Sequence, residues 1–284
     1  MSNLSSFLGG GTNKATAITA SGSFAQPNNV QFVTAMLVGG GCGGYAFTGG
    51  TACGAGGGGG GAIAFYDYIY LTGSLTVSIG VGGTGGTAAA VPAGAGGDTT
   101  ITSNHPGSPT FTAQGNLATT RISVGEARYG YIGQHNLGGG NYYTYASVAI
   151  PAPVPVARGG ISFPTTSTPY AYGGQMNHPF YGGGYGGNGS YSANTGYAGQ
   201  YSGLGVVGGA GGAAGVGYAG GGGGAGIGAG GAGGTALSAG IGTDGVAAAA
   251  NTGGGGGGGS LTNTSVAKNG GAGGTGYAMI FYVG

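Results

Sequence analysis

Apolar and polar positions alternate in several short runs along this chain. From Val30 it reads VQFVTAMLVGGG, with Val30, Phe32, Met36 and Val38 on one face and Val33, Ala35 and Leu37 on the other. Apolar residues on both sides predict a strand buried on both faces. AIAFYDYIYL, residues 62 to 71, sets Tyr66, Tyr68 and Tyr70 against Phe65, Ile69 and Leu71. LTVSIGVGG alternates Leu75, Val77, Ile79 and Val81 with Thr76, Ser78 and Gly80. TTITS and TFTAQG predict shorter strands, and the chain closes with GYAMIFYVG, where Tyr277, Met279, Phe281 and Val283 share a face. A period of two in β-branched and aromatic residues reads as strand. No stretch joins a 3.6-residue apolar period to capping signals with few glycines, so the fold class predicted is all-β with no helix.

Glycine changes that picture. ACGAGGGGGGAIAF, residues 52 to 65, holds six consecutive glycines, and the chain has 82 in 284 residues. Each costs roughly 0.5–1 kcal/mol relative to alanine in a regular element, so something must need the missing side chains. In GVGYAGGGGGAGIGAGGAGG glycine returns at 217, 220, 223 and 226, then at 228, 231 and 234. Three residues per turn is the period of the polyproline II helix, which has no internal hydrogen bonds. Its amides and carbonyls must be paired by neighbours, and glycine at each inward position lets those backbones approach. The expectation is a layered β core plus glycine-rich segments packed as a polyglycine II (PPII-type) helix bundle. With only 3% charged residues and 19 tyrosines, the composition is not that of a disordered chain.

Residues 1–29 are small and polar and read as an N-terminal arm or attachment segment. Residues 30–284 read as a glycine-rich β domain with a tyrosine-rich insertion at about 129–204. Five basic and four acidic residues are scattered singly, with no basic patch for nucleic acid. No apolar run reaches 18 residues, so no membrane insertion is expected, and the N-terminus lacks the features of a signal peptide. Cys42 and Cys53 are too few for a zinc site; they are either small residues in glycine loops or a single disulfide. The acids Asp67, Asp98, Glu126 and Asp244 lie far apart in sequence, as do His105, His135 and His178. Asp98, in AGGDTT, reads as a turn residue accepting backbone N–H bonds. GIGAGG at 226–231 follows no strand and opens no helix, and no GxSxG elbow occurs. The chain is therefore expected not to be an enzyme and to need no metal or cofactor.

Residues 129 to 201 hold 12 of the 19 tyrosines, and no charged side chain lies between Arg158 and Asp244. Tyrosine set among Gly, Asn and Ser is the composition of binding loops. Tyr170, Tyr172, His178, Tyr181, Tyr185, Tyr191 and Tyr197 are the candidate receptor-contacting residues. The other use open to them is packing within the domain or on a neighbouring subunit.

A strand ending in VGGGCGG is followed by a second glycine run, then by TVSIGVGGTGG leading to AGGDTTITS. Long glycine repeats then close in GGAGGTGYAMIFYVG. This order, over roughly residues 30 to 120 and 205 to 284, resembles the glycine-rich domain of phage tail fibres, tail-tip adhesins and related virion proteins. In the adhesins of T-even-like phages that it is similar to, packed polyglycine helices carry loops that touch the host receptor. The resemblance implies a virion structural protein of the tail or fibre, with other virion proteins as partners. It also implies a homo-oligomer, a trimer by the usual symmetry of fibres, and a host surface glycan or outer-membrane protein as target. Two rival expectations remain: a decoration or connector protein with buried surfaces, and an ice-binding polyglycine bundle. Against the second, Thr235, Thr243 and Thr252 keep no threefold register.

Overall fold

The computed structural model describes residues 12–46, 54–87, 93–104, 110–115, 135–137, 141–143, 183–184, 186–187, 189–190, 195–199, 201–202, 204–213, 215–237, 241–262 and 266–284. Among them are ten strands and no helix: β1 (Asn13–Ile18), β2 (Gly22–Phe24), β3 (Phe32–Val38), β4 (Ile63–Tyr70), β5 (Leu75–Ser78), β6 (Thr99–Ser103), β7 (Thr110–Ala113), β8 (His135–Leu137), β9 (Asn141–Tyr143) and β10 (Tyr277–Val283). Two antiparallel four-stranded sheets form, β1-β10-β3-β4 (sheet I) and β2-β5-β6-β7 (sheet II), while β8 and β9 pair as a hairpin. The all-β, sheet-rich class is as the alternation predicts.

One core lies between the two sheets. Val33, Ala35 and Leu37 of β3, Ala64, Tyr66 and Ile69 of β4, and Ala278 and Ile280 of β10 meet Phe24, Leu75, Val77, Ile101 and Ala113 of sheet II. Polar groups tie the sheets together as well. Thr99 Oγ1 donates to the Val38 carbonyl at 2.7 Å and accepts from the Gly80 amide at 3.0 Å. Tyr66 Oη reaches across to β7, donating to the Thr112 carbonyl at 2.7 Å and accepting from the Thr112 amide at 3.2 Å. The edge of β7 is thereby closed by a side chain rather than by another strand.

Two expectations about faces need correction, those for β3 and β4, while the four residues read as one face of β10 do share it. β3 is not buried on both sides: Phe32 is exposed and Met36 half-buried, and only the Val33, Ala35, Leu37 face meets sheet II. In β10 the apolar set Tyr277, Met279, Phe281 and Val283 lies outward, and Ala278 and Ile280 enter the core. In β4 the alternation breaks, because Val33 pairs with Ile69 and Ala35 with Tyr66, which leaves an extra residue on β4. Tyr68 takes up that extra position in the left-handed region, at φ of +57°; this bulge puts Tyr66 and Ile69 on the same side.

The stretch read as an arm supplies β1, paired along its whole length with β10, and β2, paired with β5. Both are edge strands with few large apolar residues, so their sequence carries little alternation.

Candidate functional site

The sandwich continues without a linker into the glycine-rich body. Val38 of β3 pairs with Ile63 of β4, and one step beyond, the Gly39 amide bonds the Ala62 carbonyl at 2.8 Å. From there the ladder changes its period. Gly39, Cys42 and Tyr45 donate to Ala62, Gly59 and Gly56, whereas Gly40 and Gly43 donate to Gly97 and Gly94, and Gly41 and Gly44 to Gly274 and Gly271. Each successive amide thus turns to a different neighbour and returns to the first after three residues. In the other direction, Gly83 and Gly86 donate to Gly41 and Gly44, and Gly256 and Gly259 donate to Cys42 and Tyr45. One segment is bonded by five others.

The same arrangement recurs through the body. Gly220, Gly223 and Gly226 donate to Gly234, Gly231 and Gly228, so the two runs of spaced glycines in the sequence are the two limbs of one hairpin. Gly54, Gly57 and Gly60 donate to Ser190, Gly187 and Gly184, which brings the end of the tyrosine-rich stretch into the body. A Cβ on Gly223 would fall on the carbonyl of Gly255, and one on Gly58 on that of Cys42. Backbone stands where side chains otherwise would.

The hairpin of residues 195–213 runs along the flank, with Gly196 and Gly199 bonded to Gly212 and Gly209. Tyr197, a candidate from the sequence, is exposed there, and Tyr201, Leu204 and Val207 are exposed beside it. The other six candidates, Tyr170, Tyr172, His178, Tyr181, Tyr185 and Tyr191, lie outside the described residues.

At the end remote from the sandwich a second, small core forms from Cys42, Tyr45, Ala55, Ala93 and Leu261, with Tyr218 and Ala267 against it. The Cys42 thiol is buried and donates to the carbonyls of Gly43 and Gly94 at 3.1 and 3.2 Å. Burial, with a smaller contribution from Cys42, raises the Tyr45 phenol far above the usual tyrosine range. Over this floor the loop ends gather. Gly215 and Gly217 both donate to the Ala236 carbonyl, and Leu261 bridges to Tyr218 and to Ala267. A Cβ on Gly242 would meet Ser260 and Thr262. Val216, Leu237, Ile241 and Val266, which flank these contacts, are all exposed. They were absent from the sequence-based candidates, although each is an isolated aliphatic residue where the glycine triplets break off.

The described carboxylates serve the framework. Asp67 accepts from Thr34 Oγ1 at 3.1 Å, Asp98 from the Gly115 amide at 2.8 Å and Asp244 from the Asn269 amide at 2.8 Å. Asp98 does accept a backbone N–H, but from across the sheet-to-body junction rather than within its own turn.

A family model described as glycine-rich domain matches residues 16–283. The chain belongs to this glycine-rich domain family. No curated protein matches it. The match takes in β2 through β10 and the second half of β1, so sandwich and glycine-rich body fall within one family unit.

Proposed function

We propose that this glycine-rich domain protein is a structural component of a phage virion, a tail fibre or tail-tip part that meets the host with the loop end of its glycine body. The observation that carries this reading is the exposed aliphatic set Val216, Leu237, Ile241 and Val266 at the end farthest from the sandwich. Exposed aliphatic residues gathered at one end are what a binding patch offers, and here Lys268 stands beside them at Gly242. The patch has aliphatic rather than aromatic anchors, and sugars are gripped chiefly by ring stacking. Apolar loops of a host outer-membrane protein therefore suit it better than a glycan. Tyr197 and Tyr201 are exposed on the flank of the same body.

In this reading the glycine segments are polyglycine II-type helices packed side by side. The three-residue rotation of their hydrogen bonds supports it, since three residues per turn directs successive amides to three neighbours. The work of the body is mechanical: it holds the loop end at a fixed distance from the sandwich. Partners are other virion proteins, and the assembly a homo-oligomer, with a trimer expected by sedimentation.

Leu237→Asp combined with Ile241→Asp tests the reading. Both side chains are exposed, so the fold tolerates the change. Particles carrying the pair are expected to assemble normally and to lose adsorption to the host. Normal adsorption would refute the loop end as the contact; failure of assembly would favour a connector whose surfaces are buried in the particle.

A further inference from the structure

The outer face of sheet I holds one carboxylate in an apolar surround. Phe32, Thr34 and Met36 lie on the side of β3 away from the core, and the Thr34 hydroxyl donates to Asp67 of β4 at 3.1 Å. Phe32 and Met36 flank Thr34 along β3, and Phe281 of β10 stands opposite it. Tyr70 pairs with Phe32, and Phe65 with Met36. The Asp67–Thr34 pair is therefore bordered by aromatic and thioether side chains. Phe32 is 51% exposed, and its ring lies 5.2 Å from that of Tyr70 with the planes tilted by 46°. Among the described residues no cation shares this face: Lys14 stands opposite Tyr282, which packs toward the core, and Lys268 belongs to the loop end.

The strand is also bent at this point. The bulge places Tyr68 next to Asp67, in the left-handed region and with its ring exposed. Packing does not offset that strain, and bulges re-aim side chains where a strand builds a site.

A carboxylate among aromatic rings attracts an organic cation in two ways, through its own charge and through the negative ring faces. Size and hydrogen bonding narrow the choice. Four strands wide and about seven residues long, the face covers roughly 440 Å². That is about half of the ~800 Å² a stable dimer takes from each partner, so a small ligand fits it better than a second copy. A primary ammonium brings three N–H donors, and the polar groups at the centre are one carboxylate, already bonded, and one hydroxyl. A quaternary ammonium has no donor to satisfy, and its methyl groups suit the rings and the thioethers of Met36 and Met279, which pair across β3 and β10.

We propose that the outer face of sheet I binds a quaternary ammonium group. Asp67 is the counter-charge, Phe32, Tyr70 and Phe281 are the walls, and Tyr68 turns over the bound cation. The site lies on the sandwich and stands whether or not the loop end binds a host.

Choline is the probe, titrated calorimetrically into the full chain beside its neutral isostere, in which a tert-butyl group replaces the trimethylammonium. Choline is expected to bind saturably in the millimolar range, about tenfold more tightly than the isostere. Asp67→Asn and Phe32→Leu should each remove most of that preference and leave binding of the isostere unchanged, which a merely structural role would not do. Equal binding of the two probes by the unaltered protein, a comparison that needs no variant to fold, would overturn the proposal. So would the absence of saturable choline binding, or a preference that survives both substitutions. Tighter binding of ethanolamine than of choline would overturn the quaternary assignment and give the face to a primary ammonium, such as a lysine of another protein.

Discussion

A single methyl group is too large for Gly223. Its Cβ would fall on the Gly255 carbonyl, and its own amide is held by Gly231 at 2.8 Å, so the backbone has no direction in which to give way. Gly223→Val is expected to cost about 3 kcal/mol or more, through overpacking and lost backbone bonds. Gly22 in β2 is the control: nothing lies within 4 Å of its Cβ position. Gly22→Ala should leave stability unchanged or raise it by about 0.4–1 kcal/mol. Thermal melts of the two variants, side by side, check the pair. Tyr45 gives a prediction in pH. Its folded pKa is raised, chiefly by burial, while unfolded tyrosine titrates near 10. Below about pH 10 both states keep the proton and the group has no effect on stability. Above it the unfolded state alone releases the proton, and stability falls by about 1.4 kcal/mol per pH unit. Denaturant titrations at pH 9 to 11 should show this slope lessened in Tyr45→Phe.

In β4 the bulge at Tyr68 governs what the strand can bury. A bulky residue in the left-handed region is held there at a cost of order 1–3 kcal/mol, and Tyr68 is 83% exposed, so packing returns little. Tyr68→Gly is expected to raise the melting temperature by a few degrees, roughly the shift that 1 kcal/mol produces in a domain of this size. No rise would mean that the ring makes a contact worth the strain. The same bulge shows where the sequence was readable and where it was not. The strands β3 to β7 and β10 are plain in their β-branched and aromatic runs, and β3 and β10 are neighbours in one sheet. Which face is the core was not plain in β3 or β10, because both faces are apolar; an outward face that looks like a core face gives no local signal. In β4 one inserted residue reverses the alternation after Asp67. β1 and β2 escaped notice because Asn13, Lys14, Ala15 and Thr16 carry no apolar rhythm, and their pairing is decided by distant partners. Glycine was more legible: the spacing at 220, 223 and 226 recurs in the donors to Gly234, Gly231 and Gly228. The loop-end residues were harder, since Val216 and Val266, fifty residues apart, come to the same end only through the bridges of Leu261 to Tyr218 and Ala267.

At the scale of the molecule, the joint between sandwich and glycine body decides how the protein unfolds. Six strands run straight into the body. Val38 is followed by Gly39, Ile63 preceded by Ala62, Tyr277 preceded by Gly276, and β5, β6 and β7 pass into their glycines in the same way. Ladder pairing at Val38 and Ile63 is followed at once by the bond from Gly39 to Ala62. Thr99 sits at this joint, bonding the last carbonyl of β3 and the amide of Gly80. The body has little apolar surface of its own to bury, so the register of its segments depends on the strands that deliver them. The sandwich in turn cannot open without pulling those segments past one another. Both parts should therefore melt together. Leu37, fully buried in the sandwich, and Gly58, deep in the body, provide the test. Leu37→Ala is expected to cost about 2–5 kcal/mol, and it should lower the protection of glycine-body amides in hydrogen exchange by the same free energy. Gly58→Ala should shift the near-ultraviolet tyrosine signal of the sandwich to the same midpoint as exchange in the body. Two separate transitions in either variant would show that sandwich and body are independent units, and that the rigid spacing of the loop end from the sandwich has some other source.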